Sequence, residues 1–188
     1  MIILASTSPR RKWIFEELGI KFEIVKPRIE EEPYFPPPEE YVVRQAERKA
    51  NSVKRDGIIF AFDTIVILNG KMLGKPENED EAFRMLSELS GEWHEVYSGF
   101  YAGGIRGYDC SRVKFRKLEP EEIMEYIKTG EPMDKAGAYG AQGYGKRFIE
   151  KIEGSYANVI GLPVERLLPV LDELGIKYTF NPEKWRFE

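Results

Sequence analysis

The run Ile58–Leu68 constrains the fold of this chain more than any other stretch, because it consists almost entirely of β-branched, aromatic and aliphatic residues. This composition predicts a strand covered on both faces, and the dipeptide Asn69-Gly70 that follows it is typical of a tight hairpin turn. Asp63 and Thr64 interrupt the run, although strand packing requires no polar side chain there. The sequence therefore predicts a carboxylate within or beside a central strand.

A carboxylate in such a strand is costly to desolvate unless it is paired, hydrogen-bonded or bound to a metal ion. One interpretation of Asp63 is structural, with backbone N–H groups donating to the carboxylate at a bend of the strand. The other interpretation is a metal-binding or catalytic group. The residues of the strand alone leave both interpretations open.

The length of 188 residues is sufficient for one domain with a substantial core, and we expect residues 1–188 to form a single domain. With 42% hydrophobic and 32% charged residues, and no apolar run of bilayer length, the composition predicts a globular protein without a membrane partner. The N-terminus does not resemble a signal peptide, and we expect a cytoplasmic location. A formal net charge of −4 argues against nucleic-acid binding, although it allows a local basic pocket.

The chain contains one cysteine, Cys110, and one histidine, His94. A single cysteine cannot form an intramolecular disulfide or a multi-cysteine zinc site, and we interpret Cys110 as a small strand residue. We interpret His94 as structural because no second histidine or cysteine completes a site. The two residues are also far apart in sequence, which argues against Ser-His or Cys-His acyl chemistry.

Strands and helices alternate along the predicted chain. Strands are expected at 1–5, 22–25, 58–68, 92–102, 105–118 and 148–152, and helices are expected to begin at Pro9, Pro38, Asn78, Pro120 and Pro163. The proline-rich residues 26–38 and the glycine-rich residues 134–146 are predicted to be irregular, and a short strand-like tail is expected at the C-terminus.

Three polar features of this pattern each have a functional and a structural interpretation. The segment at 6–11, STSPRR, places hydroxyls, a helix start and two arginines together, which suits phosphate oxygens or simply a serine-capped helix with solvent-facing arginines. Glu31 either belongs to a solvated acidic loop or joins Asp63 to supply the oxygen ligands that Mg²⁺ prefers. Lys49 interrupts the apolar side of its helix, either as a snorkelling lysine or as a phosphate contact.

The candidates for chemistry are therefore carboxylates and cations. They are Glu31, Asp63, Arg10, Arg11, Lys49 and Lys75. Together with glycine-rich turns, these groups can hold a polyphosphate with a divalent metal ion and direct water at phosphorus. The chain has no Walker A sequence and no GxGxxG after a strand.

These segments closely resemble the Maf family, also called septum formation inhibitor proteins, which are nucleoside triphosphate pyrophosphatases. The resemblance covers nearly the whole chain. It rests on ILASTSPRR at 3–11, RIEE at 28–31, AERKA at 46–50, DTIVILNGKMLGKP at 63–76, LSGEWHEVYSG at 89–99, EPMDKAGAYGAQG at 131–143 and GLP at 161–163.

The resemblance implies an α/β fold of the inosine triphosphate pyrophosphatase-like type, with a mixed twisted sheet flanked by helices, two lobes with a cleft and commonly a homodimer. It also implies cleavage of a nucleoside triphosphate to the monophosphate and pyrophosphate, with Mg²⁺, Mn²⁺ or Co²⁺. By this match Asp63 is the proton acceptor, and Glu31 with Asp63 supports the metal ion. The positions associated with phosphate or active-site contacts are Ser6, Arg11, Lys49 and Lys75.

Within the family, the dTTP/UTP-type members carry Arg after SxSP, Thr after the catalytic Asp and Gln in the glycine-rich loop. This chain has Arg10, Thr64 and Gln142, whereas the 7-methyl-GTP-type branch typically has Trp, Gln and Glu. The match therefore favours a pyrimidine base, whose imide edge can pair with the donor and acceptor of Gln142. Phe62 replaces a usually small residue and Ser98 stands where Thr is frequent, and neither change removes a proposed catalytic group.

Two alternatives remain open from the sequence. A chain of this type could act chiefly as a nucleotide-sensing regulatory protein in cell division or septum control, with incidental turnover. Retention of both acidic residues and the cations favours an enzyme instead. A modified or damaged nucleotide as the substrate is also compatible with the sequence.

Overall fold

The computed structural model describes residues 1–188. Its seven strands are β1 Ile2–Leu4, β2 Glu23–Ile24, β3 Ile58–Leu68, β4 Lys71–Leu73, β5 Trp93–Ala102, β6 Ile105–Phe115 and β7 Ile149–Glu153. Its six α-helices are α1 Pro9–Glu17, α2 Pro38–Asn51, α3 Glu79–Leu89, α4 Pro120–Lys128, α5 Tyr156–Ile160 and α6 Val164–Glu173. The seven strands form one mixed sheet flanked by helices, so the predicted α/β class is confirmed. None of the helices combines the length and the apolar character that crossing a membrane requires.

The sheet is interrupted along one edge of its central strand. β3 pairs in parallel with β1 over residues 58–60 and, on the same edge, antiparallel with the hairpin strand β4 over residues 66–68. Its other edge pairs antiparallel with β5 along residues 60–67. Residues 61–65 of β3 therefore have no neighbouring strand on the first edge, and we call this interruption the sheet gap.

Side chains of β3 alternate between two differently covered faces. Ala61 and Ile65 lie on the face covered by α2, where they belong to small apolar clusters. Phe62 and Val66 lie on the opposite face, in the main hydrophobic core. Asp63 consequently points toward α2 and Thr64 toward the main core, although the two residues are adjacent in sequence.

Helix starts follow the predicted chemistry. α1, α2 and α4 begin with Pro9, Pro38 and Pro120, each at a position where a missing N–H has no consequence. Asn78 caps α3, because its side chain accepts a hydrogen bond from the Glu81 backbone N–H at 2.8 Å. The expected helix starts near these residues are confirmed.

Two expectations about local structure are wrong, and one helix was not expected. The glycine-rich segment forms 3-10 helical turns at Glu131–Asp134, Ala136–Ala138 and Gly143–Phe148, because positive φ at its glycines permits tight turns rather than an irregular loop. The C-terminal tail has no strand and ends in the 3-10 turn Pro182–Trp185, where Trp185 packs against Trp13. The short helix α5 was not expected, because its only local signal is the cap at Ser155.

Gly99 allows α2 to lie directly on β5. It is the cross-strand partner of Asp63, and a Cβ atom at Gly99 would lie 2.4 Å from the carbonyl carbon and oxygen of Val42 in α2. Such a contact is far closer than van der Waals packing allows. The absent side chain therefore sets the distance between β5, the neighbour of β3, and the helix that carries Lys49.

We expect Gly99→Ala to push α2 away from the sheet and lower the free energy of unfolding by roughly 1–3 kcal/mol, the usual effect of overpacking. Urea denaturation monitored by circular dichroism measures this change. Gly74→Ala is the matched control, because its Cβ would meet only the Met72 side chain at 3.5 Å and should change stability by less than about 0.5 kcal/mol. Equal stability of Gly99→Ala and the wild type would show that Gly99 does not set this distance.

Candidate active site

A cleft of about 350 Å³ opens at the sheet gap. Its volume is in the range of small-molecule sites. The turn between β1 and α1, the proline-rich loop before α2, the middle of β3 and the glycine-rich segment all contribute to its walls. The predicted site residues that line it are Ser6, Arg10, Arg11, Glu31, Lys49, Asp63, Thr64 and Lys75.

The lining carries more positive than negative charge. Its six cations are Arg10, Arg11, Lys26, Lys49, Lys75 and Lys135, and its three carboxylates are Glu31, Asp63 and Asp134. This local excess stands in a chain whose formal net charge is −4. Such a concentration of cations in a concave site indicates an anionic ligand.

Lys49 lies between two carboxylates at the sheet gap. Its Nζ is 2.9 Å from Glu31 Oε1 and 2.9 Å from Asp63 Oδ1, and it also donates to the Phe62 carbonyl at 3.3 Å. That carbonyl points into the gap because residues 58 and 60, which share its orientation in β3, bond to β1. Lys49 is therefore not a snorkelling side chain, since its ammonium group is held by three oxygen atoms.

Asp63 is almost completely buried, and only one of its two carboxylate oxygens is satisfied. Oδ1 accepts from Lys49, whereas Oδ2 is buried without a hydrogen-bond partner. The backbone N–H donors that the structural interpretation requires are thus absent from Oδ2. Burial raises the pKa of Asp63, and the attraction of Lys49 opposes this rise. A buried carboxylate with a free oxygen and a raised pKa fits a proton acceptor or a metal ligand.

Glu31 differs from Asp63 in its electrostatic environment. Partial burial favours its neutral form, but the charge and hydrogen bond of Lys49 outweigh this effect and lower the pKa of Glu31 to about 2. The charge of Lys75 contributes to the same lowering. Glu31 is therefore ionised at neutral pH and provides a second carboxylate beside Asp63.

Glu31 and Asp63 are the residues in the cleft that could hold a divalent metal ion together. No group of three or more histidine, cysteine, aspartate or glutamate side chains is arranged to bind one. Two carboxylates suit Mg²⁺, which is commonly bound by one or two of them together with substrate phosphates. The unpartnered Oδ2 of Asp63 is consistent with this donor set.

Arg11 presents a partly buried cation without a carboxylate partner. Its Nε donates to the Gly161 carbonyl at 2.8 Å and its Nη2 donates to Thr64 Oγ1 at 3.1 Å. Burial lowers the pKa of Arg11 to about 10, which leaves the guanidinium charged at neutral pH. Because a buried cation is costly without a counter-charge, the cleft is suited to receive an anion beside Arg11.

The turn before α1 places further polar groups in the cleft. Ser6 is buried and its Oγ accepts from the Ser8 backbone N–H at 3.1 Å, while Ser8 caps α1. Arg10 also lines the cleft; burial lowers its pKa, and the charges of Asp134 and Glu131 oppose this effect. The alternative of solvent-facing arginines is wrong, because both arginines are partly buried against the cleft.

In the glycine-rich segment, the residues that line the cleft do not include Gln142, the site residue predicted there. Gly140 and Ala141 line the cleft instead. Sequence reasoning missed Asp134 and Lys135, although both lie in the quoted segment EPMDKAGAYGAQG. Lys135 Nζ bonds to Asp134 Oδ1 at 2.9 Å, so a lysine follows its own carboxylate partner in sequence, a pattern that resembles an ordinary surface pair.

His94 and Cys110 lie outside the cleft lining. His94 is buried, its Nε2 is 2.7 Å from the Tyr139 hydroxyl, and burial lowers its pKa to about 3. Burial also raises the pKa of the Cys110 thiol to about 11. His94 is thus uncharged and Cys110 protonated at neutral pH, in agreement with their interpretation as structural residues.

Known proteins resemble this chain over most of its length. Residues 1–174 match the family described as Maf-like protein. A dTTP/UTP pyrophosphatase of Clostridium tetani is 47% identical over 93% of this chain and 97% of its own length. Proteins of the same name from Aquifex aeolicus and Thermosipho melanesiensis are 43% and 49% identical, covering 93% and 90% of this chain and 96% of each relative.

We expect Asp63→Asn to melt at or above the wild-type temperature at pH 7. Because burial raises the pKa of Asp63, its contribution to stability is present below its ordinary pKa and is lost as pH rises through the folded-state pKa. The charged carboxylate thus destabilises the fold at neutral pH, and an amide of the same shape removes this effect. The difference between the two melting temperatures should shrink as the pH is lowered.

Glu122→Gln is the control of opposite sign. The bidentate hydrogen bonds from Arg116, at 2.8 Å each, lower the pKa of Glu122, so its charge stabilises the fold at neutral pH. This variant should melt below the wild type. A fall in melting temperature for Asp63→Asn comparable to that of Glu122→Gln would return Asp63 to the structural interpretation.

Proposed function

This chain belongs to the family of Maf-like proteins, and we propose that it is a nucleoside triphosphate pyrophosphatase that hydrolyses dTTP and UTP to the monophosphate and pyrophosphate. Relatives at 43–49% identity over most of their length carry the name dTTP/UTP pyrophosphatase. The observation that carries the proposal is the unpartnered oxygen of buried Asp63 in a cleft lined mainly by cations.

Asp63 acts as the proton acceptor in this reaction. Lys49 occupies Oδ1, which leaves Oδ2 for a water molecule. Burial raises the pKa of Asp63 toward the working pH, which makes it a more effective general base than an exposed aspartate. Besides partly offsetting the buried charge of Asp63, Lys49 fixes the orientation of its carboxylate.

The cations of the cleft bind and neutralise the triphosphate. Arg11 has no carboxylate partner, and Lys75 forms no salt bridge and is exposed at the cleft. Charge that develops on phosphate oxygens during hydrolysis is stabilised by such positioned cations. Ser6 adds a hydroxyl at the start of α1, where backbone N–H groups favour anions.

We also propose that a divalent cation, Mg²⁺, Mn²⁺ or Co²⁺, is held by Glu31 and Asp63. When bound, it supplies Lewis acidity at a phosphate oxygen and a more acidic water. Glu31 is ionised at neutral pH because Lys49 lowers its pKa. Lys49 lies at 2.9 Å from both carboxylates, and its positive charge allows them to lie close together.

We assign selection of the base to Arg10 and Gln142. Arg10 lines the cleft beside Asp134, and Gln142 follows Ala141, the last residue of this segment that lines it. For Gln142 to reach a base, Gln142 and the start of the 3-10 turn Gly143–Phe148 have to move toward the cleft. Thr64, which the family resemblance also associates with selection of the base, has its hydroxyl engaged by Arg11 and Ser98.

A cytoplasmic homodimer is the remaining part of the proposal. The sheet face of β5 and β6 that α2 covers also carries three aromatic residues, of which Trp93 and Tyr97 are partly buried and Tyr108 is exposed, and this supports contact between two copies. The name shared by the relatives favours an enzyme over a nucleotide sensor.

Hydrolysis of dTTP in ¹⁸O-labelled water should release unlabelled pyrophosphate and thymidine monophosphate that carries the label, because attack occurs at the α phosphate. Mass spectrometry of both products tests this. Orthophosphate and a nucleoside diphosphate as first products would contradict the proposal.

Asp63→Asn should retain triphosphate binding and lose on the order of a hundred- to ten-thousand-fold in kcat, as expected for removal of a general base.

Gln142→Glu should reduce kcat/KM for dTTP and UTP relative to dGTP, because a carboxylate offers no donor to the pyrimidine carbonyl. Loss of one such pairing corresponds to roughly a tenfold change in the ratio. Tyr144→Glu introduces the same charge on the same segment at a position that is 55% exposed, outside the cleft lining, and should leave the ratio unchanged. Identical ratios in Gln142→Glu and the wild type would remove Gln142 from base selection.

A further inference from the structure

The two residues that precede Gln142 in the glycine-rich segment are held in the cleft lining by hydroxyl groups. The Gly140 N–H donates to the Tyr126 hydroxyl of α4 at 3.0 Å. The Ala141 carbonyl accepts from the Tyr156 hydroxyl of α5 at 2.9 Å. Both residues line the cleft, whereas Gln142 does not. The segment therefore leaves the cleft at Gln142.

One carboxylate holds the backbone that follows Gln142. The Tyr144 N–H donates to Glu131 Oε1 at 3.3 Å, and the Gly145 N–H donates to Glu131 Oε2 at 3.1 Å. No other side chain hydrogen-bonds to the backbone of residues 142–145. We call these two hydrogen bonds the Glu131 contact.

The same carboxylate also lies directly against Gly143. A Cβ atom at Gly143 would be 2.4 Å from Glu131 Oε1, so the backbone there packs on the carboxylate without room for a side chain. Gly143 has a φ of 66°, in the left-handed region that glycine adopts readily. Glu131 thus touches three successive residues, 143–145, directly after Gln142.

Glu131 is itself fixed by its backbone at the start of its 3-10 turn. Its N–H donates to Thr129 Oγ1 at 3.2 Å, and its carbonyl accepts from Lys135 Nζ at 2.9 Å. These bonds attach Glu131 to its own turn and to the end of α4 rather than to residues 143–145. Movement of residues 143–145 toward the cleft therefore separates their N–H groups from the carboxylate.

We propose that Glu131 is a positioning residue that limits the affinity for pyrimidine nucleotides, because Gln142 reaches the base only after the Glu131 contact is broken. This inference rests on the proposed function, which assigns the base to Gln142. A ligand that requires a minor conformation binds with an affinity reduced by the population of that conformation. Weakening the Glu131 contact raises this population and strengthens binding of dTTP and UTP.

Glu131→Gln tests this with almost no change in side-chain size. The amide has one acceptor oxygen where the carboxylate has two, so one of the two N–H groups loses its partner. KM for dTTP and UTP should fall by roughly tenfold, the effect of one hydrogen bond to a charged group. KM for dGTP and the Kd of inorganic tripolyphosphate, measured by calorimetry, should stay unchanged. An equal fall for either of these would attribute the effect to the lost negative charge and overturn the proposal.

A double-variant cycle with Gln142→Ala tests whether Glu131 acts through Gln142. In the Gln142→Ala background, Glu131→Gln should no longer change KM for dTTP, because the side chain that has to reach the base is gone. Glu121→Gln is the matched control, since it makes the same charge change at an exposed position of α4 and should leave every KM unchanged. A full effect of Glu131→Gln without Gln142, or an unchanged KM for dTTP in folded Glu131→Gln, would overturn the proposal.

Amide hydrogen exchange, followed by NMR, provides a readout that requires no turnover. The Tyr144 and Gly145 N–H groups should exchange faster in Glu131→Gln than in the wild type, whereas the Gly140 N–H should be unaffected. In the Asp63→Asn protein, dTTP should accelerate exchange at Tyr144 and Gly145, and tripolyphosphate should not. Equal acceleration by both ligands, or by neither, would overturn the proposal.

The two proposals fail in different ways. If the wild type hydrolyses no nucleoside triphosphate, the proposed function fails, and dTTP binding with amide exchange in Asp63→Asn still decides the role of Glu131. If the wild type hydrolyses dTTP and the ratio of KM for dTTP to KM for dGTP is the same in Glu131→Gln, only the role of Glu131 fails.

Discussion

The bridge that Lys49 forms between Glu31 and Asp63 is the interaction around which the cleft is built. It requires three separate elements to meet at one point: the last turn of α2, the proline-rich loop and the middle of β3. The meeting is possible because Gly99 lets α2 approach the sheet closely, and because the missing strand neighbour leaves the Phe62 carbonyl available to the same ammonium group. Without this cation, two neighbouring carboxylates would repel each other in a partly desolvated site.

The sheet gap also explains how adjacent residues with opposite orientations serve one cleft. Asp63 faces α2 and Thr64 faces the main core, so in an uninterrupted sheet a strand would separate them. Here the cleft enters through the open edge and reaches both faces. One face supplies the carboxylates, and the other supplies Arg11 with the Thr64 hydroxyl and the Gly161 carbonyl that it contacts.

Sequence reasoning recovered what local patterns determine. The apolar run of β3, the prolines at helix starts and the Asn78 cap are local signals, and the structure agrees with each of them. Of the eight predicted site residues that line one cleft, six were singled out by their charge, and the family resemblance added roles for Ser6 and Thr64. The close approach at Gly99 and the exclusion of Gln142 from the lining depend on contacts between distant segments, and no local pattern encodes them. The helix α5 is announced in the sequence only by its cap at Ser155.

The short length of β1 limits how the sequence of this protein can evolve. β1 ends at Leu4, and a longer first strand would pair with residues 61–65, gain backbone hydrogen bonds and stabilise the sheet. The same pairing would fill the cleft with polypeptide. Insertions near Ala5 that improve the fold would therefore abolish the site, so selection for stability and selection for activity act in opposite directions on the length of one strand.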